Sequence, residues 1–130
     1  MERQIRKGDI FYIYSADKIG SEIAGCRPAI VVSNDMCNRF SSVLEVVFLT
    51  TRERKRRLPT HVYIESAPRR STALCEQITS VSISRFGNYV GKISKREMFK
   101  IDFAMLVSLG MMRIIPQSAK QKEKTENERT

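Results

Sequence analysis

Hydrophobic and polar positions divide the chain into a long strand-like region and one helical segment. Residues 9–14 (DIFYIY) are β-branched and aromatic, the composition of a strand. Residues 15–25 contain Gly20, Ser21, Glu22 and Gly25 and read as a loop. Residues 29–33 form a continuous apolar run closed by Asn34-Asp35, and residues 43–51 form another broken only by Glu45. Runs this apolar predict strands covered on both faces. Residues 52–57 are a charged loop closed by Leu58-Pro59, and His61-Val62-Tyr63-Ile64 alternates like a strand at or near an edge. A further strand is predicted over 72–81, and Gly87-Asn88 reads as a turn before a short strand over 89–93.

After that the period changes from two to between three and four. Ser94 and Glu97 have the spacing of a capping box. Met98, Ile101, Met105 and Leu109 then recur at helical intervals, with Gly110 as the stop. Phe99, Phe103 and Leu106 fall outside that stripe and would serve either a partner or a deeper core. Many short strands and one terminal helix predict a mainly β fold, a small, strongly bent barrel with a C-terminal α-helix packed on it.

Residues 117–130 (QSAKQKEKTENERT) contain only Ala119 from the apolar set. Such a segment cannot bury enough surface to offset its ordering entropy, so the expected organisation is a folded domain over 1–116 and a disordered polar tail over 117–130. The 130 residues carry a formal net charge of +9. The tail holds four basic and three acidic residues, leaving a net charge of +8 in the body. A body this basic favours polyanionic partners. Residues 52–57 hold five basic side chains in six positions, and residues 68–72 (PRRST) form a second basic turn. Each is either a footprint for phosphates or a solvated loop guarding a sheet edge.

No apolar run approaches the roughly 20 residues of a membrane span, and residues 1–7 lack the apolar centre of a secretory signal, so no membrane association and a cytoplasmic location are expected. Cys26, Cys37 and Cys75 are an odd count without close pairing, which in a reducing compartment means free thiols. With His61 the sole histidine and no Cys-x-x-Cys spacing, no metal site or cofactor is expected. A lone histidine at a strand start reads as a hydrogen-bonded structural residue. Asp9, Asp35 and Asp102 are too scattered for the clustered carboxylates of a metal-dependent nuclease.

One juxtaposition needs an explanation. Arg27 stands at the mouth of the apolar run that follows Pro28. A buried, unpartnered guanidinium is costly. Either a structural carboxylate, Glu22 or Asp9, neutralises it, or an anionic ligand does.

An ordered series of short strings resembles the MazF/PemK family of toxin endoribonucleases. It comprises Lys7-Gly8-Asp9-Ile10, Gly20-Ser21-Glu22, Gly25-x-Arg27-Pro28 with the run to Ser33-Asn34-Asp35, and Asn38-Arg39-Phe40-Ser41. It continues with Leu49-Thr50-Thr51, Leu58-Pro59-Thr60-His61-Val62, Glu76-Gln77-Ile78 and Ser108-Leu109-Gly110. The resemblance covers residues 7–110. It implies an SH3-like, plasmid-maintenance-toxin barrel acting as a homodimer. It further implies metal-independent cleavage of single-stranded RNA at short motifs, and an acidic antitoxin lying across the RNA groove. Arg27 matches the family's essential arginine and Thr50 the threonine closing the third strand. Ser21, Glu22 and Gln77 match RNA-touching positions, and Thr51, Arg52, Asn38 and Arg39 are placed near the groove.

The implied chemistry uses the RNA's own 2′-hydroxyl as nucleophile, giving a 2′,3′-cyclic phosphate (or 3′-phosphate) and a 5′-hydroxyl. A planar guanidinium suits charge stabilisation at the phosphate better than proton transfer, its pKa lying above about 12. Glu22 is either a base or a solvated loop charge. Two rivals share the barrel. One is a gyrase-poisoning toxin like the CcdB proteins, whose C-terminal Trp-Gly-Ile this tryptophan-free chain lacks. The other is an RNA-binding barrel without catalysis.

Overall fold

The computed structural model describes residues 4–15, 25–52 and 58–113. Most of the expected loop over 15–25 (16–24), most of the basic loop (53–57) and the tail lie outside the described residues.

Six strands form one antiparallel sheet: β1 (Asp9–Ile13), β2 (Arg27–Val31), β3 (Val43–Thr50), β4 (His61–Ile64), β5 (Ser71–Ser82) and β6 (Phe86–Lys92). Their spatial order is β4-β5-β3-β2-β1-β6, so β4 is an edge strand as its alternation predicts. The apolar runs β2 and β3 are central and divide their side chains between two clusters. On one face Ile30, Val47 and Leu49 join Ile10, Val62, Ile64, Ala73 and Cys75, with Ile101 and Ala104 of the C-terminal helix laid over them. On the other, Ala29, Val31, Leu44 and Val46 join Phe11, Ile13 and Val81, with Phe48 packed against them. Burial pushes the Cys75 thiol up to about 12.

Two local readings are corrected. Asn34 does not merely end a strand; its side chain accepts the Cys37 N–H at 2.8 Å and starts a short helix, α1 (Asp35–Phe40). An asparagine between elements serves as terminator and N-cap alike, and six residues are too few to show a period. Gly87-Asn88 lies within β6 rather than in a turn before it. Gly87 is needed there for close approach, since a Cβ would fall 2.9 Å from the Tyr14 ring.

The C-terminal helix, α2 (Lys95–Ser108), opens with the expected capping box. Glu97 does more than cap. One carboxylate oxygen accepts the Ser94 N–H at 2.9 Å; the other accepts the Glu65 and Ser66 N–H groups at 2.7 and 3.2 Å. It therefore ties the helix to the end of β4. Burial alone would raise its pKa, but bonds from the Ser66 side chain and the Ser94, Glu65 and Ser66 backbones prevail and lower it to about 2. Ile101, Ala104 and Glu97 are the buried positions of α2, whereas Leu109, the C-cap, is exposed. No helix among the described residues is long and apolar enough to cross a membrane.

Candidate active site

Strand register brings the expected residues together. β2 and β3 pair as Ala29–Phe48, Ile30–Val47 and Val31–Val46. Continued by two residues, that register sets Arg27 opposite Thr50, on the face of Ala29 and Phe48. Arg27 is exposed, and its guanidinium lies over the Phe48 ring, 4.6 Å from the centroid. Stacking holds the planar group while leaving its N–H edge for a ligand.

The carboxylate alternative is not adopted at Asp9. That side chain is buried, accepts the Arg6 N–H at 2.8 Å and lies 3.7 Å from Lys92 Nζ. No ion pair joins Arg27 to a carboxylate among the described residues; Ser21 and Glu22 lie outside them.

Thr50 Oγ1 accepts the Arg52 N–H at 3.2 Å. With its oxygen pinned by a donor, the hydroxyl proton is available to an acceptor. Alternation gives Thr50 the Arg27 face; Thr51, just past the end of β3, borders both a cavity with Leu49 and Pro28 and the one beside Thr50 and Arg52.

Gln77 reaches the same face through an irregularity. Between the pairs Leu49–Ala73 and Val47–Ile78, β5 carries three more residues than β3. The second register, continued, sets exposed Gln77 opposite Phe48. His61 and Thr60 brace this irregularity. The Leu58 N–H donates to His61 Nδ1 at 3.3 Å, so Nε2 carries the ring proton and donates to Glu76 Oε2 at 3.1 Å. Thr60 Oγ1 donates to the other Glu76 oxygen at 2.9 Å. Burial would raise the Glu76 pKa, but its backbone, Thr60 and His61 bonds hold it below the usual range. His61 is thus a strut, as a lone strand histidine predicts.

Asn38 and Arg39 are not part of this cluster within one copy. Helix α1 precedes β3 at Val43, on the order of 20 Å along the strand from Thr50. Asn38 is buried, its amide donating to the Ser33 carbonyl at 2.8 Å and accepting the Ser33 hydroxyl. Arg39 stacks over Phe40, 5.4 Å from the ring centroid. Their string matches, but within one copy the fold does not bring it to Arg27 and Thr50. Arg52 is exposed beside Thr50. Phe48, the platform under Arg27, is not singled out by any matched string, although its two-residue offset from Thr50 puts it on that face.

A family model described as PemK-like, MazF-like toxin of type II toxin-antitoxin system matches residues 6–109. The chain belongs to this family. Endoribonuclease EndoA of Bacillus subtilis (strain 168) is 33% identical over 112 residues, covering 83% of this chain and 97% of that protein. Among solved structures, an endoribonuclease in complex with its cognate antitoxin from a mycobacterial species aligns with TM-score 0.70 at 26% identity, over 85% of this chain and 99% of the other. MazF (Form-I) from Deinococcus radiodurans shares the fold, with TM-score 0.70 at 19% identity, over 85% of this chain and all of the other. As a family member with named endoribonuclease relatives, the chain is an endoribonuclease toxin of a toxin–antitoxin system.

Proposed function

We propose that this PemK/MazF-like toxin cuts single-stranded RNA without a metal, at short sequence motifs, by attack of the RNA's own 2′-hydroxyl. The reading rests on one observation: a guanidinium stacked on an aromatic ring, with no ion pair to a carboxylate among the described residues, opposite a threonine whose oxygen is already fixed. Arg27 binds the scissile phosphate through its N–H fork and stabilises charge as the 2′-oxygen adds. Thr50 donates a hydrogen bond to the same phosphate. The P–O5′ bond then breaks, leaving a 2′,3′-cyclic phosphate and a 5′-hydroxyl.

Gln77, Thr51 and Arg52 contact the flanking RNA, together with Ser21 and Glu22. The cellular setting is cytoplasmic, with an acidic antitoxin as partner and a homodimer as the working form. Supporting assembly, Phe99 of α2 is 72% exposed and Phe40 of α1 is 74% exposed, apolar surface that a partner would bury.

Incubating the purified protein with a long single-stranded transcript, with and without EDTA, tests this. Discrete fragments are expected in both samples, with 5′ ends that a kinase labels without prior phosphatase treatment. No cleavage, or cleavage abolished by EDTA, overturns the proposal. Thr50→Val is expected to lower kcat roughly tenfold; Thr51→Val, one residue past the strand and beside the flanking RNA, should leave kcat unchanged and act only on KM. Equal kcat losses in both would show that the alternation does not assign the hydroxyl.

A further inference from the structure

Next to Thr50 the sheet carries a second arrangement of the kind that holds Arg27. Register places Tyr63 beside Thr72 and Thr72 beside Thr50, one row running from β4 across β5 to β3. Arg70 lies in the basic turn, immediately before β5, and its guanidinium lies over the Tyr63 ring, 5.3 Å from the centroid. Thr50, Thr51, Arg52, Tyr63, Arg70, Ser71 and Thr72 enclose a cavity of about 260 Å³. Among the described residues its lining is five hydroxyl-bearing side chains and two guanidinium groups, with no carboxylate and no aliphatic side chain. No ion pair among the described residues engages Arg52 or Arg70. The Ser71 hydroxyl is committed to the Arg69 carbonyl at 2.9 Å, which leaves the guanidinium groups and the threonine hydroxyls as donors for a ligand.

We propose that Arg70, stacked on Tyr63, and Thr72 form a separate subsite for an RNA backbone phosphate beyond the scissile one. The ligand chemistry follows from the lining. Two cations and hydroxyl donors, with no opposing carboxylate among the described residues, select an anion rich in acceptors. The volume is below that of a pocket engulfing a whole drug-sized molecule and suits a phosphate with the edge of its ribose. Because Thr50 belongs to both sites, one strand of RNA runs from Arg27 over β3 and β5 towards β4, across the strands. Tyr63 and Arg70 lie two to three strand spacings from Arg27, on the order of 10–14 Å, more than one linkage away. The subsite therefore adds affinity and path, not chemistry, and it rests on the RNA-cleaving role proposed above.

The test compares the parent protein with Arg70→Ala and Arg70→Lys. Fragment ends from a long transcript first give the cut motif. Fluorogenic oligonucleotides carrying it, one trimmed to the motif and one extended by several nucleotides on each side, then give kcat and KM. On the extended substrate Arg70→Ala is expected to raise KM about tenfold with kcat unchanged, and to lower the salt dependence of log KM by about one phosphate contact. The trimmed substrate should show no difference, and Arg70→Lys should recover most of the salt slope. Equal KM and salt slope for Arg70→Ala and parent on the extended substrate overturn the subsite, also where an acidic peptide is found to bind parent more tightly than variant. A parent protein that leaves the transcript intact instead overturns the nuclease reading itself, so the two failures are distinct.

Discussion

Replacing Arg27 with alanine is expected to slow RNA cleavage by about 100- to 1,000-fold, the usual loss when one preorganised contact to a developing oxyanion is removed. The fold should survive. Arg27 is exposed and belongs to neither core cluster, so the melting temperature of the variant should stay close to that of the parent. Arg27→Lys separates charge from shape. A lysine keeps the positive charge but loses the planar fork and the stacking surface offered by Phe48, and should recover only part of the rate. Single-turnover cleavage of a motif-bearing oligonucleotide, read beside a thermal melt, decides the matter. A folded alanine variant that cuts at the parental rate removes Arg27 from the mechanism.

The second large effect is on stability. Glu97→Ala is expected to destabilise the protein by about 2–4 kcal/mol, because it deletes half of a capping box and leaves the Glu65 and Ser66 N–H groups without their acceptor. At several degrees per kcal/mol, the midpoint should fall by roughly 10 °C. The pH dependence has a definite sign. The carboxyl lies near 2 in the folded chain against an ordinary 4.5. Its contribution is therefore full above about pH 4.5 and is lost as the pH falls towards 2, amounting to about 3 kcal/mol. Melts at pH 7, 4 and 3 should show the parent losing more stability than Glu97→Gln across that window. Parallel losses in both proteins would place the acid-sensitive group elsewhere.

Much of this architecture is legible in the linear pattern, for identifiable reasons. The strands over 9–13, 43–50 and 71–82 and the capped helix declare themselves because each commits whole faces to burial, and burial imposes a period. The six residues of α1 are too short to show one. Gly87 was misread because a glycine needed for close approach looks, in sequence, like a glycine needed for a turn. At the site, Arg27 and Thr50 stand out as matched strings, and simple alternation along β3 then joins them to Phe48. Gln77 could be matched but not placed, since no periodicity anticipates three extra residues in β5. Asn38 and Arg39 show the opposite failure. Their string matches well, but proximity along a chain says little about proximity across a sheet, and the burial of Asn38 depends on the later return of β3.

The sealed thiol of Cys75 makes the folded chain react unevenly with electrophiles. Cys37 is exposed and Cys26 half-buried, whereas Cys75 is fully enclosed and, with its pKa near 12, stays protonated. An alkylating reagent therefore finds two of three sulfurs in the intact protein, and the third reports on the core. Modification of Cys75 requires β5 to leave its neighbours, so the number of adducts per molecule, counted by mass spectrometry, becomes a clock for opening of the sheet.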